Sequence, residues 1–280
     1  MGRVLLVVLA HPDDESFGPG GTLARYAAEG VAVHICIATD GALGSVATGF
    51  EAARNDLVSV RAQELERAVA ALGGTLHRLN YRDSGMRGDV ANEHPEAFIN
   101  SNNDEAIGRV VQLIRRYQPQ TVITNDETGG YFHPDHIRCH EITTAAFHAA
   151  SVPDMYPAPG LEPYQPQRLY YTVFPKWQLK AFILFSRLRG HNPTAFGRNN
   201  DIDLTRLGYP RKDIHAYIDF RQYWEMKKQA SAAHASQGGG GINRFLPEWL
   251  QKRLFSTDTY IRAYPAVPVG FREYDLFEPS

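Results

Sequence analysis

The chain reads as an α/β protein with a Rossmann-like, mostly parallel sheet and helices on both faces. Three observations predict this. Aliphatic runs of strand length recur through the first half of the sequence, as expected where a parallel strand is buried on both faces. Segments of helical period separate them. Glycine or proline punctuates most junctions. A composition that is 43% hydrophobic and 21% charged over 280 residues supplies a core for one large domain.

Residues 4–10 form the first apolar run. Gly20 and Gly21, with Thr22 as the expected N-cap, open a short helix over 23–28 that stops at Gly30. A second strand covers 31–39. Leu57, Arg61, Leu65, Ala68 and Leu72 recur at threes and fours and predict a helix over 56–72, closed by Gly73 and Gly74. Residues 75–79 make a weaker third strand. Ile107, Val110, Val111 and Ile114 share one stripe of a helix over 104–117, and a fourth strand follows at 121–124. A helix then starts near Pro134 and runs to Ala150.

Beyond this the pattern is less regular. Residues 153–166 are rich in Pro and Tyr and read as an ordered surface loop. Strands are expected at 168–174, 213–220 and 257–264, and a helix over 221–237 that ends in the glycines 238–241, a candidate mobile loop or a plain connector. No repeat or flexible linker divides the chain. One domain, 1–280, is expected, with a core over 1–150 and a C-terminal α+β extension over 151–280.

Several function classes are excluded at this level. A net charge of −2 does not suit a chain built to grip nucleic acid or an anionic membrane. The first apolar run is shorter than a signal-peptide core with its cleavage region, and no stretch reaches membrane-spanning length. Leu6 stands where a myristoylation signal needs Ser or Thr. Cys36 and Cys139 are far apart and lack thiolate-zinc spacing, so they read as buried small apolar residues. A cytoplasmic location is expected.

The chemistry sits where strands end. The first strand breaks directly into His11-Pro12-Asp13-Asp14-Glu15, and the fourth is followed by His133-Pro134-Asp135-His136. Ligands of open parallel sheets gather beyond the carboxyl ends of the strands. If strands one and four are neighbours, both clusters lie together, and histidines with carboxylates are the usual donors of a catalytic zinc. An isolated His–Asp pair is more often a cap or a hydrogen-bonding pair, and Asp135 alone would suit a helix first turn. It is the coincidence of two clusters that favours a metal. His140 shares a helix face with His136, so spacing leaves the choice between them open, as it does between Asp13 and Asp14.

The two clusters resemble the paired signatures of the LmbE-like (PIG-L) deacetylases, zinc enzymes acting on N-acetylglucosamine derivatives. Arg61 with Glu64, Tyr81-Arg82-Asp83-Ser84-Gly85-Met86, and Gly129-Gly130-Tyr131 resemble the branch that makes or recycles mycothiol, and the likeness covers about the first 150 residues. His234-x-Ser236-Gln237 echoes a pattern of relatives without an assigned role. The resemblance implies one Zn²⁺ per chain, with Fe²⁺ as the alternative, held by His11, Asp14 and His136. It implies Asp13 as general base and His133, oriented by Asp135 and acting in its charged form, as acid or electrostatic stabiliser. Tyr131 would bind the oxyanion, and Arg61 and Asp83 would hold sugar hydroxyls. Phe174, Trp177 and Tyr217 are candidate aromatic walls of a sugar-sized pocket, although such residues are more often core.

The implied partner is a small aminosugar, with neither nucleic acid nor membrane and with homo-oligomerisation left open. One rival is an amidase of the same fold cleaving thiol S-conjugates. Another is a noncatalytic sugar- or nucleotide-binding module, against which Gly18-Pro19-Gly20-Gly21 is not a dinucleotide fingerprint. A phosphatase would call for two metals and more carboxylates.

Overall fold

The computed structural model describes residues 2–188, 190, 192–196, 202–239 and 247–277. Its centre is a seven-stranded sheet in the order β3-β2-β1-β4-β5-β7-β6. The strands are β1 (Val4–Leu9), β2 (Ala32–Thr39), β3 (Thr75–Tyr81), β4 (Thr121–Asn125), β5 (Arg168–Thr172), β6 (Ala216–Asp219) and β7 (Thr257–Tyr264). β3 to β5 are parallel; β7 runs antiparallel to β5 and β6 antiparallel to β7. The strands after residue 150 therefore extend the same sheet.

Alternation along β1 explains why it is apolar throughout. Leu5, Val7 and Leu9 face one core with Leu23 and Ala24 of α2 (Gly20–Ala28), Leu65, Ala68 and Leu72 of α3 (Leu57–Leu72), and Ala230 of α8 (Trp224–Ala233). Leu6, Val8 and Ala10 face the other with Val110, Val111 and Ile114 of α4 (Asn103–Tyr117) and Ile142, Ala146 and Phe147 of α6 (Pro134–Ala149). A strand covered on both faces has no side left for polar residues.

The short helices α1 (Asp14–Phe17) and α5 (Gly129–Phe132) follow β1 and β4. After β1 the chain winds toward β3; with β4 it crosses to the other flank. The crevice at this reversal of strand order, beyond the ends of β1 and β4, is where such sheets bind ligands.

Three local readings are corrected. Thr22 lies inside α2 rather than capping it; its N–H and Oγ1–H both donate to Asp258 Oδ2 from β7, at 2.8 and 2.9 Å. A carboxylate from a distant strand thus satisfies that first turn, which no local pattern announces. The helix expected over 221–237 is broken at His234, where ψ is 54°. Helices α7 (Lys176–Leu188) and α9 (Glu248–Phe255) were not anticipated. Of the glycine run, Gly240 and Gly241 lie outside the described residues, as does His191.

Gly21 shows what close packing requires. A Cβ there would lie 2.1 Å from the ring of Phe220. Gly21→Ala is expected to destabilise the fold by about 1–3 kcal/mol, the usual range for overpacking, as read by denaturant unfolding; an unchanged midpoint would contradict this packing.

Candidate metal and catalytic centre

The first motif turns sharply where β1 ends. Asp13 adopts φ 116°, a conformation rare for a residue with a Cβ, and precedes α1. Its N–H donates to Glu15 Oε2 at 3.0 Å, and the His11 N–H donates to Asp14 Oδ2 at 2.8 Å. The second motif is set by a helix start. His133 is the N-cap of α6, with Pro134 in its first turn, and His133 Nδ1 accepts the N–H of Asp135 at 3.2 Å. Before it, Gly129 and Gly130 both have positive φ, and a Cβ on Gly129 would sit 2.7 Å from His136 Cβ. Only glycine lets this turn bring Tyr131 over α6.

Three donor atoms converge. His11 Nδ1 and His136 Nε2 are 3.1 Å apart, His136 Nε2 and Asp14 Oδ2 3.3 Å, and His11 Nδ1 and Asp14 Oδ2 3.7 Å. Zinc ligands at about 2.0–2.2 Å in tetrahedral directions are separated by roughly 3.3–3.5 Å. The triangle therefore fits one such cation, and the residues implied by the resemblance as ligands are brought together. His133 also places a ring nitrogen within 4.8 Å of ring nitrogens of His11 and His136.

Further contacts orient the donors. His11 Nε2 lies 3.2 Å from Asp135 Oδ2, which also accepts the Ser84 N–H at 2.9 Å, and 3.6 Å from Asp83 Oδ1. His136 Nδ1 lies 2.9 Å from the amide of Asn125, whose Oδ1 has no partner. A half-turn of that amide would put Oδ1 against Nδ1–H, the tautomer needed when Nε2 binds a metal. His140 turns away: its Nδ1 is 3.1 Å from the Asn125 carbonyl oxygen and its ring packs on Tyr171.

Electrostatics separate the two adjacent aspartates. Burial works against the charge of Asp14, yet His136 and His11 hold its carboxyl well below the usual range. Asp13 moves the other way, to about 6, because burial and the neighbouring Asp14 outweigh Arg61. Arg61 Nη2 is 3.1 Å from Asp13 Oδ2 and also donates to the Pro12 carbonyl, while Nη1 donates to the Gly41 carbonyl at 2.7 Å. Burial raises the Tyr131 hydroxyl far above its ordinary value, so it stays protonated; it lies 3.4 Å from His136 Nε2.

Asp135 and His133 meet through the backbone rather than through the carboxylate. The Asp135 carboxylate is directed at His11 and Ser84, and only its N–H holds the His133 ring. Burial, together with His11 and His136, pushes His133 down to about 2. A cation bound at the triangle would act in the same direction. The Nδ1 of His133 accepts the Asp135 N–H, so Nε2 is the ring nitrogen left to carry a proton toward the cavity side chains.

A cavity of about 300 Å³ opens over these groups. His11, Asp13, Arg61, Asp83, Tyr131 and His133 line it, together with Met86 and Gln237, which belong to quoted motifs without an assigned role, and with Leu43, Ser45, Asp89 and Ile202, which sequence reasoning did not single out. Asp83 and Arg61 border the space but hydrogen-bond to protein: Asp83 accepts the N–H groups of Leu43 and Gly85 at 3.1 and 2.9 Å. Phe174, Trp177 and Tyr217 are not among its lining residues, and the first two are half exposed. Among the described residues no helix is long and apolar enough to cross a membrane.

Residues 6–147 match the family described as PIG-L, GlcNAc-PI de-N-acetylase. A 1D-myo-inositol 2-acetamido-2-deoxy-alpha-D-glucopyranoside deacetylase of Rhodococcus erythropolis is 37% identical over 98% of this chain and 96% of its own length. Among solved structures, N,N'-diacetylchitobiose deacetylase from Pyrococcus horikoshii superposes with a TM-score of 0.63 at 21% identity, covering 93% of this chain and 83% of that one. The 4-carboxy-2-hydroxymuconate hydratase GalB of Pseudomonas putida shares the fold at a TM-score of 0.61 and 17% identity, over 95% and 98% of the two chains. A fold common to a hydratase and a deacetylase leaves the chemistry to the site.

Proposed function

The chain belongs to the PIG-L (LmbE-like) de-N-acetylase family, and from that premise we propose that it is a zinc-dependent hydrolase removing the acetyl group from an N-acetylglucosamine derivative. The substrate class we infer is the inositol glycoside that the relatives' names print, which the resemblance to the mycothiol branch ties to low-molecular-weight thiol biosynthesis. The observation that carries the reading is the triangle of His11 Nδ1, Asp14 Oδ2 and His136 Nε2 beside a carboxylate, Asp13, lifted to about 6.

His11, Asp14 and His136 would hold the metal. A bound zinc supplies polarisation of the amide carbonyl and makes water at the site more acidic. Asp13 takes a proton from the attacking water at its carboxylate. Arg61 keeps that carboxylate aimed and limits how far burial can raise it. His133, through Nε2–H, and the Tyr131 hydroxyl donate to the oxygen that gains charge as the carbonyl becomes tetrahedral. We take His133 as neutral, in line with its downward shift, so that the proton for the departing nitrogen comes back from Asp13. Water is consumed, acetate and the protonated amine leave, the amine's second proton coming from the hydroxyl of the tetrahedral adduct, and Asp13 ends deprotonated, as it began.

The sign of the pH dependence follows. Asp13 must be unprotonated to accept a proton, so kcat/KM is expected to fall about tenfold per pH unit below about 6 and to level above it. A profile still flat down to pH 4 would remove Asp13 from the base role.

The decisive test of the function is amine release from N-acetylglucosamine derivatives by metal-stripped protein, with and without added zinc. Zinc-dependent release of the amine supports the reading. One zinc bound with no release from any such sugar overturns it.

A further inference from the structure

The C-terminal part of the chain reaches the centre at one buried segment, His234-Ala235-Ser236-Gln237. Its contacts fall on the two elements that carry Asp13 and Arg61. His234 is fully buried, and its Nε2 lies 2.7 Å from Glu15 Oε1. Glu15, fully buried as well, accepts Ser16 Oγ–H on the same oxygen at 2.5 Å and the N–H of Asp13 on the other at 3.0 Å. Two residues on, Ser236 donates its N–H and Oγ–H to the two oxygens of Glu64, at 2.8 and 2.6 Å. Glu64 is one turn along α3 from Arg61. The Ser236 carbonyl accepts the Ala47 N–H at 2.7 Å, fixing the loop that brings Leu43 and Ser45 to the cavity.

We propose that His234 is a positioning residue for the metal and the base: by donating to Glu15 it keeps that carboxylate bonded to the Asp13 N–H, and so holds the strained turn from His11 to Glu15. Asp13 at φ 116° does not rest there unaided, because side chains with a Cβ avoid that region. The same turn sets His11, Asp13 and Asp14. The carbonyl of the same Pro12–Asp13 peptide accepts from Arg61 Nη2, which ties it from the opposite side. Glu15 alone could not serve. A fully buried carboxylate needs donors on both oxygens, and His234 is the one brought by a separate part of the chain. His234 ends α8 with ψ 54°, and its ring lies against Glu15.

The test compares wild type with His234→Ala, His234→Asn and His234→Gln. The Gln amide can extend to where Nε2 sits, whereas Asn is too short; Asn stands in for Ala should the latter not fold. Zinc affinity, read by chelator competition with the metal alone, is expected to fall about 10–100-fold in Ala or Asn, the range for partners that orient ligands. In the same variants kcat should drop by a similar factor with KM within about threefold, and Gln should recover both. The proposal is overturned if Ala or Asn keeps zinc affinity and kcat within threefold, or if a folded Gln variant falls as far as they do. The kinetic arm rests on the deacetylase reading, but the zinc arm does not. A wild type with no amine release and an intact His234 dependence of zinc affinity would sink the former alone.

Discussion

Replacing Asp13 by asparagine is expected to lower kcat by about 10²–10⁴-fold, the usual contribution of a positioned general base, while zinc stays bound. The donor triangle consists of His11, Asp14 and His136, and the Asp13 carboxylate is turned instead to Arg61 at 3.1 Å. Removing its basicity therefore leaves the ligands in place. Asparagine is the informative choice for two reasons. It tolerates the left-handed region better than most side chains with a Cβ, so the turn at φ 116° survives. It also keeps an oxygen toward Arg61, whose guanidinium is only 3% exposed. Alanine would leave that buried cation without its carboxylate, and breaking such a pair costs about 3–5 kcal/mol. Asp13→Ala should accordingly lose both rate and thermal stability, whereas Asp13→Asn should lose rate. An asparagine variant within a few fold of wild type in kcat, at one zinc per chain, would transfer the base role elsewhere.

The sequence made the first half of this architecture legible because doubly buried parallel strands leave a continuous aliphatic trace. Val4 to Leu9 could not be anything exposed, and polar residues directly after it marked a strand end. The second half was harder for a physical reason: only β5 joins in parallel, β6 and β7 add antiparallel with partly exposed residues, and α7 leaves Trp177 and Leu184 exposed among its apolar positions. Within the site, residue types were legible but pairings were not. His136 and His140 stand four apart on one helix face, and only the tertiary position of each ring shows that one meets Asp14 and the other Tyr171. Likewise the Asp135 carboxylate was assigned to its neighbour in sequence, His133, yet its partner is His11, 124 residues away. His234 was visible as a motif without a role because Glu15, which gives it one, is 219 residues distant.

That ambiguity between His136 and His140 supplies the second large effect. His136→Ala removes one corner of the triangle and is expected to weaken zinc about 10²–10³-fold. The reasoning is that a protein zinc site with a binding free energy of roughly 10–16 kcal/mol shares it among three or four ligands, and about 3–4 kcal/mol per ligand corresponds to that factor. Activity at sub-stoichiometric zinc should vanish. Stability offers a reading free of turnover: zinc at 100 times its wild-type dissociation constant stabilises the fold by about 2.7 kcal/mol, so wild type should melt higher with zinc than without. The same concentration should stabilise His136→Ala by at most about 0.4 kcal/mol, because its sites are half filled at most. His140→Ala is the matched control. Its Nδ1 faces the Asn125 carbonyl and its ring packs on Tyr171, outside the donor triangle, so the zinc-dependent rise in melting temperature should persist. If the His140 variant lost the rise and the His136 variant kept it, the metal would be held one turn further along the same face of α6. The assignment of Asp14 Oδ2, 3.3 Å from His136 Nε2, as its neighbour in the site would then fall with it.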